Sequence, residues 1–110
     1  VDRARVVLIT RDLMFGSKVE AMAGQAGFDC LISAEVPERG DGDALWIVDL
    51  AQGDFQPDEV AGRGAPVLAF FSHVDDEMRL AAKAAGLDQL VPRSRMARDG
   101  VELIRANSRE

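Results

Sequence analysis

Several apolar runs of this sequence end in residues able to do chemistry. The first closes in Thr10-Arg11-Asp12, the third holds Asp49 near its end, the fourth runs into Phe71-Ser72-His73, and the fifth ends in Pro92-Arg93. Two carboxylates brought together can hold a divalent cation, and a buried one can attack an electrophile. A guanidinium beside them can pair with either carboxylate through its planar fork. Each residue also has a plainer use. Asp49 can bond backbone N–H groups of the loop that follows it, Asp12 can cap a helix, and Arg11 can be a solvated or ion-paired side chain. Ser72-His73 has no G-x-S-x-G elbow around it and no third partner placed for His73, which argues against a hydrolytic triad; His73 more simply orders the start of a helix.

Composition narrows the classes further. The chain has 110 residues, 47% hydrophobic and 29% charged, with 13 Lys+Arg against 19 Asp+Glu and a net charge of −6. That length suits one domain over residues 1–110. An acidic chain with no basic run is poorly suited to a phosphate backbone, so no direct nucleic-acid contact is expected. One Cys (Cys30) and one His (His73) allow neither a disulfide framework nor a recognisable zinc site. No apolar stretch approaches a membrane span, and residues 6–9 are too short for a signal peptide. The expected location is the cytoplasm.

The elements that must position these residues alternate in type. Residues 5–10, 28–33, 44–50, 66–72 and 89–92 read as strands, and the first is apolar enough to be covered on both faces. A helix opens near Asp12, with Phe15, Val19, Met22 and Ala26 on one face and Gly27 beyond its end. Residues 35–43 carry Pro37, Gly40 and Gly42 and read as loop. Residues 57–63 suit a short helix with Pro57 in its first turn. The next helix is capped by Asp75 or Asp76, buries a stripe of Val74, Met78, Ala81, Ala82 and Ala85, and stops at Gly86. Residues 96–106 form the last, burying Val101, Leu103 and Ile104. Cys30, Trp46 and the four methionines (Met14, Met22, Met78, Met96) are expected in or near the core. Gly24-Gln25-Ala26-Gly27 ends a helix and so is no dinucleotide fingerprint, and Arg39-Gly40-Asp41 reads as a turn. Such alternation argues for a parallel sheet with helices on both faces and a functional crevice at the carboxyl ends of its strands.

In order and spacing these strand-end residues resemble the receiver domain of bacterial response regulators, over essentially the whole chain. The resemblance implies a doubly wound, five-stranded parallel sheet of strand order 2-1-3-4-5. It places Asp49, in Leu45-Trp46-Ile47-Val48-Asp49-Leu50, at the phospho-accepting position. Asp12 takes the second acidic position after strand 1, Ser72 that of the switch hydroxyl (or, one residue earlier, Phe71 falls there), and Arg93 that of the conserved Lys. The departures are equally specific. Arg11 stands where the first acid belongs, Ser94 where a Pro follows the Lys, and residues 34–43 have room for one helical turn at best. The helix between strands 2 and 3 is therefore expected to be shortened or absent.

These departures alter the chemistry the family performs. A receiver holds Mg²⁺ on its carboxylates, phosphorylates its Asp and neutralises the product with Lys. Three carboxylates and one Lys sum to −2; Asp12 and Asp49 against Arg11 and Arg93 sum to 0. One charge pair at 4 Å is worth roughly 4 kcal/mol at an effective dielectric near 20. Metal binding at Asp12 and Asp49 is thus expected to be weakened, and either Arg11 or Arg93 to bond Asp49 directly in its place. The expectation is an atypical receiver that is not an enzyme and needs no cofactor. It docks another signalling protein or a second copy through residues 76–83, 90–92 and 95–105, where Arg95, Arg98 and Arg105 mix with Asp99 and Glu102. The alternatives are a working phospho-accepting receiver using Asp49 and Mg²⁺, and a small phosphotransfer or hydrolytic enzyme with Asp49 as nucleophile. With no room for an output domain, such a chain acts by docking or is a piece of a longer protein.

Overall fold

A computed structural model describes residues 3–52, 55–71, 76–87 and 89–109. The element order is β1 (Arg5–Ile9), α1 (Leu13–Gln25), β2 (Asp29–Ser33), β3 (Leu45–Asp49), α2 (Pro57–Val60), β4 (Val67–Phe71), α3 (Asp76–Ala84), β5 (Leu90–Pro92) and α4 (Arg93–Asn107). All strands are parallel, in the order β2-β1-β3-β4-β5. This is the expected sheet.

The central strands are apolar throughout because both of their faces are covered. Val6, Leu8, Leu45, Ile47, Leu68 and Phe70 pack with Val19, Ala23, Met96 and Ile104 under α1 and α4. On the other face, Val7, Ile9, Trp46, Val48 and Ala69 meet Phe55, Val60, Ala82 and Leu87. α1 starts where its cap allows: Asp12 Oδ1 accepts the Phe15 N–H at 3.1 Å. It ends at Gly27, whose φ of +98° lies in the left-handed region that favours glycine.

No helix joins β2 to β3; residues 34–44 form turns and extended chain. The loop is held by its own contacts. Gly40 lies so close to Trp46 and Ala65 that a Cβ there would fall 2.6–2.8 Å from their atoms. Arg109 donates to the carbonyls of Gly40, Asp41 and Gly64, and Arg63 to that of Pro37. Arg39 folds back onto Asp41 at 2.6 Å, so the Arg39-Gly40-Asp41 turn is closed on itself. Val36 helps cover the face a helix would have covered.

Other details differ from the sequence reading. α2 is a single turn, Pro57–Val60, ending well before Gly62. α4 begins at Arg93, directly after β5, and carries a kink at Asp99 (φ −114°, ψ 18°). That phase turns Met96 and Gly100 inward and leaves Val101 half-buried. On α3 only Ala82 of the expected stripe is fully buried; Met78 and Ala85 are half-buried, Ala81 is exposed, and Val74 and Asp75 lie outside the described residues. Met14, expected near the core, is 89% exposed because it falls outside the stripe set by Gly16, Val19 and Ala23. Cys30 is half-buried on the edge strand β2; burial, and then the Glu20 carboxylate, push its thiol up to about 11. Among the described residues no helix is long and apolar enough to cross a membrane.

Candidate functional site

The carboxyl ends of β1 and β3 and the start of α4 converge on a short polar chain. Asp49 is the last residue of β3 and is 1% exposed. Its two oxygens take neutral donors: the Thr10 hydroxyl donates to Oδ2 at 2.7 Å, and the Ala51 N–H donates to Oδ1 at 2.9 Å. Thr10 is also buried, and its oxygen accepts the Asp12 N–H at 3.0 Å. The hydroxyl therefore relays between the two acidic residues.

Asp12 is engaged on both oxygens as well. Oδ1 caps α1 through Phe15, and Oδ2 accepts Arg93 Nη2 at 2.7 Å. Arg93 lies over the Phe15 ring, 4.3 Å from its centroid, within range of a cation–π contact. Phe15 in turn meets Phe70 edge-on, with ring centroids 5.2 Å apart. The guanidinium is thus held from two sides, by a carboxylate and by a ring anchored in the core.

This arrangement corrects the expectation that Arg11 or Arg93 bonds Asp49. Arg93 reaches Asp12 instead, and Asp49 is met by Thr10 and Ala51. Arg11 is exposed; its backbone N–H donates to Gln52 Oε1 at 3.2 Å, tying the loop after β1 to the loop after β3. Ser72, the switch-hydroxyl candidate, and His73 lie outside the described residues, while Phe71 ends β4 and is buried.

The two carboxyl groups are tuned in opposite directions. Burial is the largest influence on Asp49 and pushes its pKa above the ordinary aspartate value; the hydrogen bonds from Thr10 and Ala51 and the charge of Arg93 oppose it. Asp12 is held below its ordinary value, first by the Phe15 N–H; burial opposes this, and Arg93 adds to the lowering by hydrogen bond and charge.

Sequence reasoning set Thr10 among the strand-end residues and Phe15 on a buried helix face without giving either a partner at the site, and did not single out Gln52. Thr10 is the polar residue closing an otherwise apolar strand, which marks a buried hydroxyl in need of a partner. Phe15 was legible as core, and its second use as a platform for Arg93 follows from a contact across 78 positions of chain.

No family model matches the sequence, and no curated protein does. Solved structures do match in fold. A CheY-like response regulator from Mesorhizobium loti aligns with a TM-score of 0.73 at 17% identity, covering 94% of this chain and 97% of that one. A CheY-like receiver domain protein from Methanospirillum hungatei gives 0.73 at 15% identity, covering 96% and 93%. An orphan response regulator of H. pylori gives 0.63 at 18% identity, covering 91% and 96%. The chain has the receiver-domain fold.

Proposed function

We propose that this chain is an atypical receiver of a two-component-type signalling system, a cytoplasmic docking module whose pocket is closed by its own side chains. The observation that carries the reading is the occupancy of both carboxylates. Asp12 spends its oxygens on a helix cap and on Arg93, and Asp49 spends its oxygens on Thr10 and Ala51.

A Mg²⁺ ion, which the fold family implies, does not fit this donor set. Arg11 replaces one acid in sequence and Arg93 neutralises another in space. Among the described residues no group of at least three His, Cys, Asp or Glu side chains is placed to hold a metal. A divalent ion generally needs several oxygen donors around it. The signalling role then falls to the surface. The exposed surfaces of α3 and α4 carry Arg79, Arg95, Arg98 and Arg105 among Asp76, Asp99 and Glu102, with Arg105 reaching the Gln25 carbonyl of α1, a mixed-charge surface suited to a partner protein of complementary pattern.

The test is a two-dimensional amide NMR titration with Mg²⁺ and then beryllofluoride, with Asp49→Asn as control. The expected result is an unmoved spectrum in both proteins. Shifts around Asp12 and Asp49 that spread to α3 and vanish in the control overturn the reading and leave a working phospho-accepting receiver. The Arg11→Asp, Arg93→Lys double variant is expected to gain Mg²⁺-dependent shifts that the unmodified chain lacks.

A further inference from the structure

β2 is an open edge of the sheet whose Leu31 face no helix among the described residues covers, and we propose that a second copy of this chain pairs there, β2 against β2, antiparallel and two-fold symmetric. β2 is an outermost strand, and its burial pattern differs from that of every interior strand: Asp29 and Leu31 are exposed, and Cys30, Ile32 and Ser33 are half-buried. Leu31 keeps 45% of its surface because its side of the sheet has lost its covering helix. The strand contains neither Pro nor Lys, and its one charged residue, Asp29, stands at its end rather than in its middle.

The hydrogen-bond phase selects the register. Asp29 N–H donates inward to Ala4, and Thr10 N–H donates to the Ser33 carbonyl, so the odd-numbered residues of β2 face β1. Cys30 and Ile32 therefore turn their N–H and C=O groups outward. Antiparallel pairing about Leu31 sets Cys30 opposite Ile32 of the second copy, and such a pair exchanges both of its hydrogen bonds. Leu31 then meets its own counterpart at the non-hydrogen-bonded position, where Cα atoms lie about 4.5 Å apart. A pairing centred one residue away would call on residues beyond the strand.

The flanks are self-complementary in the same register. Asp29 falls opposite Ser33 rather than a second carboxylate. Arg3, half-exposed, lies 3.9 Å from Asp29 and donates to the Gly24 and Gly27 carbonyls, so its charge sits at the end of the edge that the two-fold brings toward the mate's exposed Glu35. On the other face, the side of α1 over β2 is marked by Gly16, which faces Ile32, and by Glu20, which acts on Cys30. Leu13 stands three and seven positions before them, on that same side, and is 70% exposed. Gly24, four positions after Glu20, has open space where a side chain would be. Reversing α1 about its middle lays Leu13 of one copy over Gly24 of the other. An isologous contact requires a patch to match itself. This edge does so in hydrogen bonds, charge and shape, which favours a second copy over an unrelated strand.

Sedimentation equilibrium over about 5 to 200 µM tests the proposal, a range suited to a micromolar dimer. The unmodified chain is expected to rise from monomer to dimer. Leu31→Lys sets like charges across the axis and should weaken the dimer by roughly tenfold or more. Leu80→Lys, at a more exposed leucine on α3, away from the β2 edge, should leave it unchanged. Leu31→Cys in a Cys30→Ser background should form a disulfide dimer under mild oxidation, since that Cα spacing is within disulfide range. A chain that stays monomeric overturns the proposal, as does a dimer that survives Leu31→Lys or is lost in Leu80→Lys. If Leu31→Lys fails to fold, the cysteine variant decides, and absence of the cross-link overturns the proposal.

Discussion

Two aspartates lie buried at opposite ends of β3, and their surroundings differ in kind. Asp43, just before the strand, is 2% exposed; it accepts Arg5 Nε at 2.8 Å and the Trp46 indole N–H at 2.9 Å. Asp49, at the other end, is equally buried, and Thr10 and Ala51, which donate to its carboxylate, are neutral. The nearby cation, Arg93, is committed to Asp12. A buried charge is retained cheaply when it is paired and hydrogen-bonded, and costs stability when it is not. The Asp43 end is therefore built to hold the chain together: it fastens β1 and β3 next to the loop that replaced a helix. The Asp49 end is a cost the fold carries, because burial opposes its charge and its partners are neutral donors.

Removing the two carboxylates should therefore move stability in opposite directions. Asp43→Ala leaves the Trp46 N–H buried without an acceptor and Arg5 without its partner. A loss of about 2–3 kcal/mol is expected, the scale for orphaning buried donors. It would be read as a lower urea midpoint by circular dichroism, with altered fluorescence of Trp46, the protein's one tryptophan. A variant as stable as the parent would dissolve the distinction between the two ends.

Asp49→Asn should stabilise the fold, by a few degrees in Tm at neutral pH. Its pH dependence sharpens the comparison. The folded Asp49 pKa is raised, so the native state keeps this proton to higher pH than the unfolded chain does. The contribution of Asp49 to stability therefore falls as pH climbs from the ordinary aspartate value through the folded one. Asn does not ionise, so the advantage of the variant should be small at acidic pH and full at neutral pH. An advantage independent of pH would assign it to packing instead.

The sheet was legible because the apolar runs and glycine stops state it directly: all five strands lie in the expected places, and the missing helix follows from the shortness of residues 34–44. The site was legible as a set of positions, since strand ends in a parallel sheet meet at one edge. The pairing within it was not. Charge arithmetic says that Arg93 will find a carboxylate, but Asp12 and Asp49 are equivalent to that arithmetic. Phe15 breaks the tie by giving the guanidinium a ring to lie on beside Asp12. Nor does sequence show that Asp43, one acidic residue in a polar loop, is buried. That depends on Arg5 and Trp46 reaching the same point from two strands.

Arg93→Ala is the smallest change and tests how the pocket is closed. Arg93 is substantially exposed, so its ion pair is worth little after solvent screening, and the stacking on Phe15 adds a comparable share. Together they predict a Tm lower by about 2–4 °C at neutral pH and low salt. Asp12 has a lowered folded pKa, so its partnership stabilises the protein above the ordinary aspartate value and is lost as pH falls through the folded one. The gap between parent and variant should accordingly narrow in acid. High salt should narrow it too, because the charge part is screened, while the stacking part stays. Arg93→Lys separates the two shares: it keeps the charge and loses most of the planar contact. A Lys variant matching the parent would mean that charge alone closes the pocket. One matching Ala would mean that the Phe15 platform is what directs this cation to Asp12 and leaves Asp49 with neutral partners.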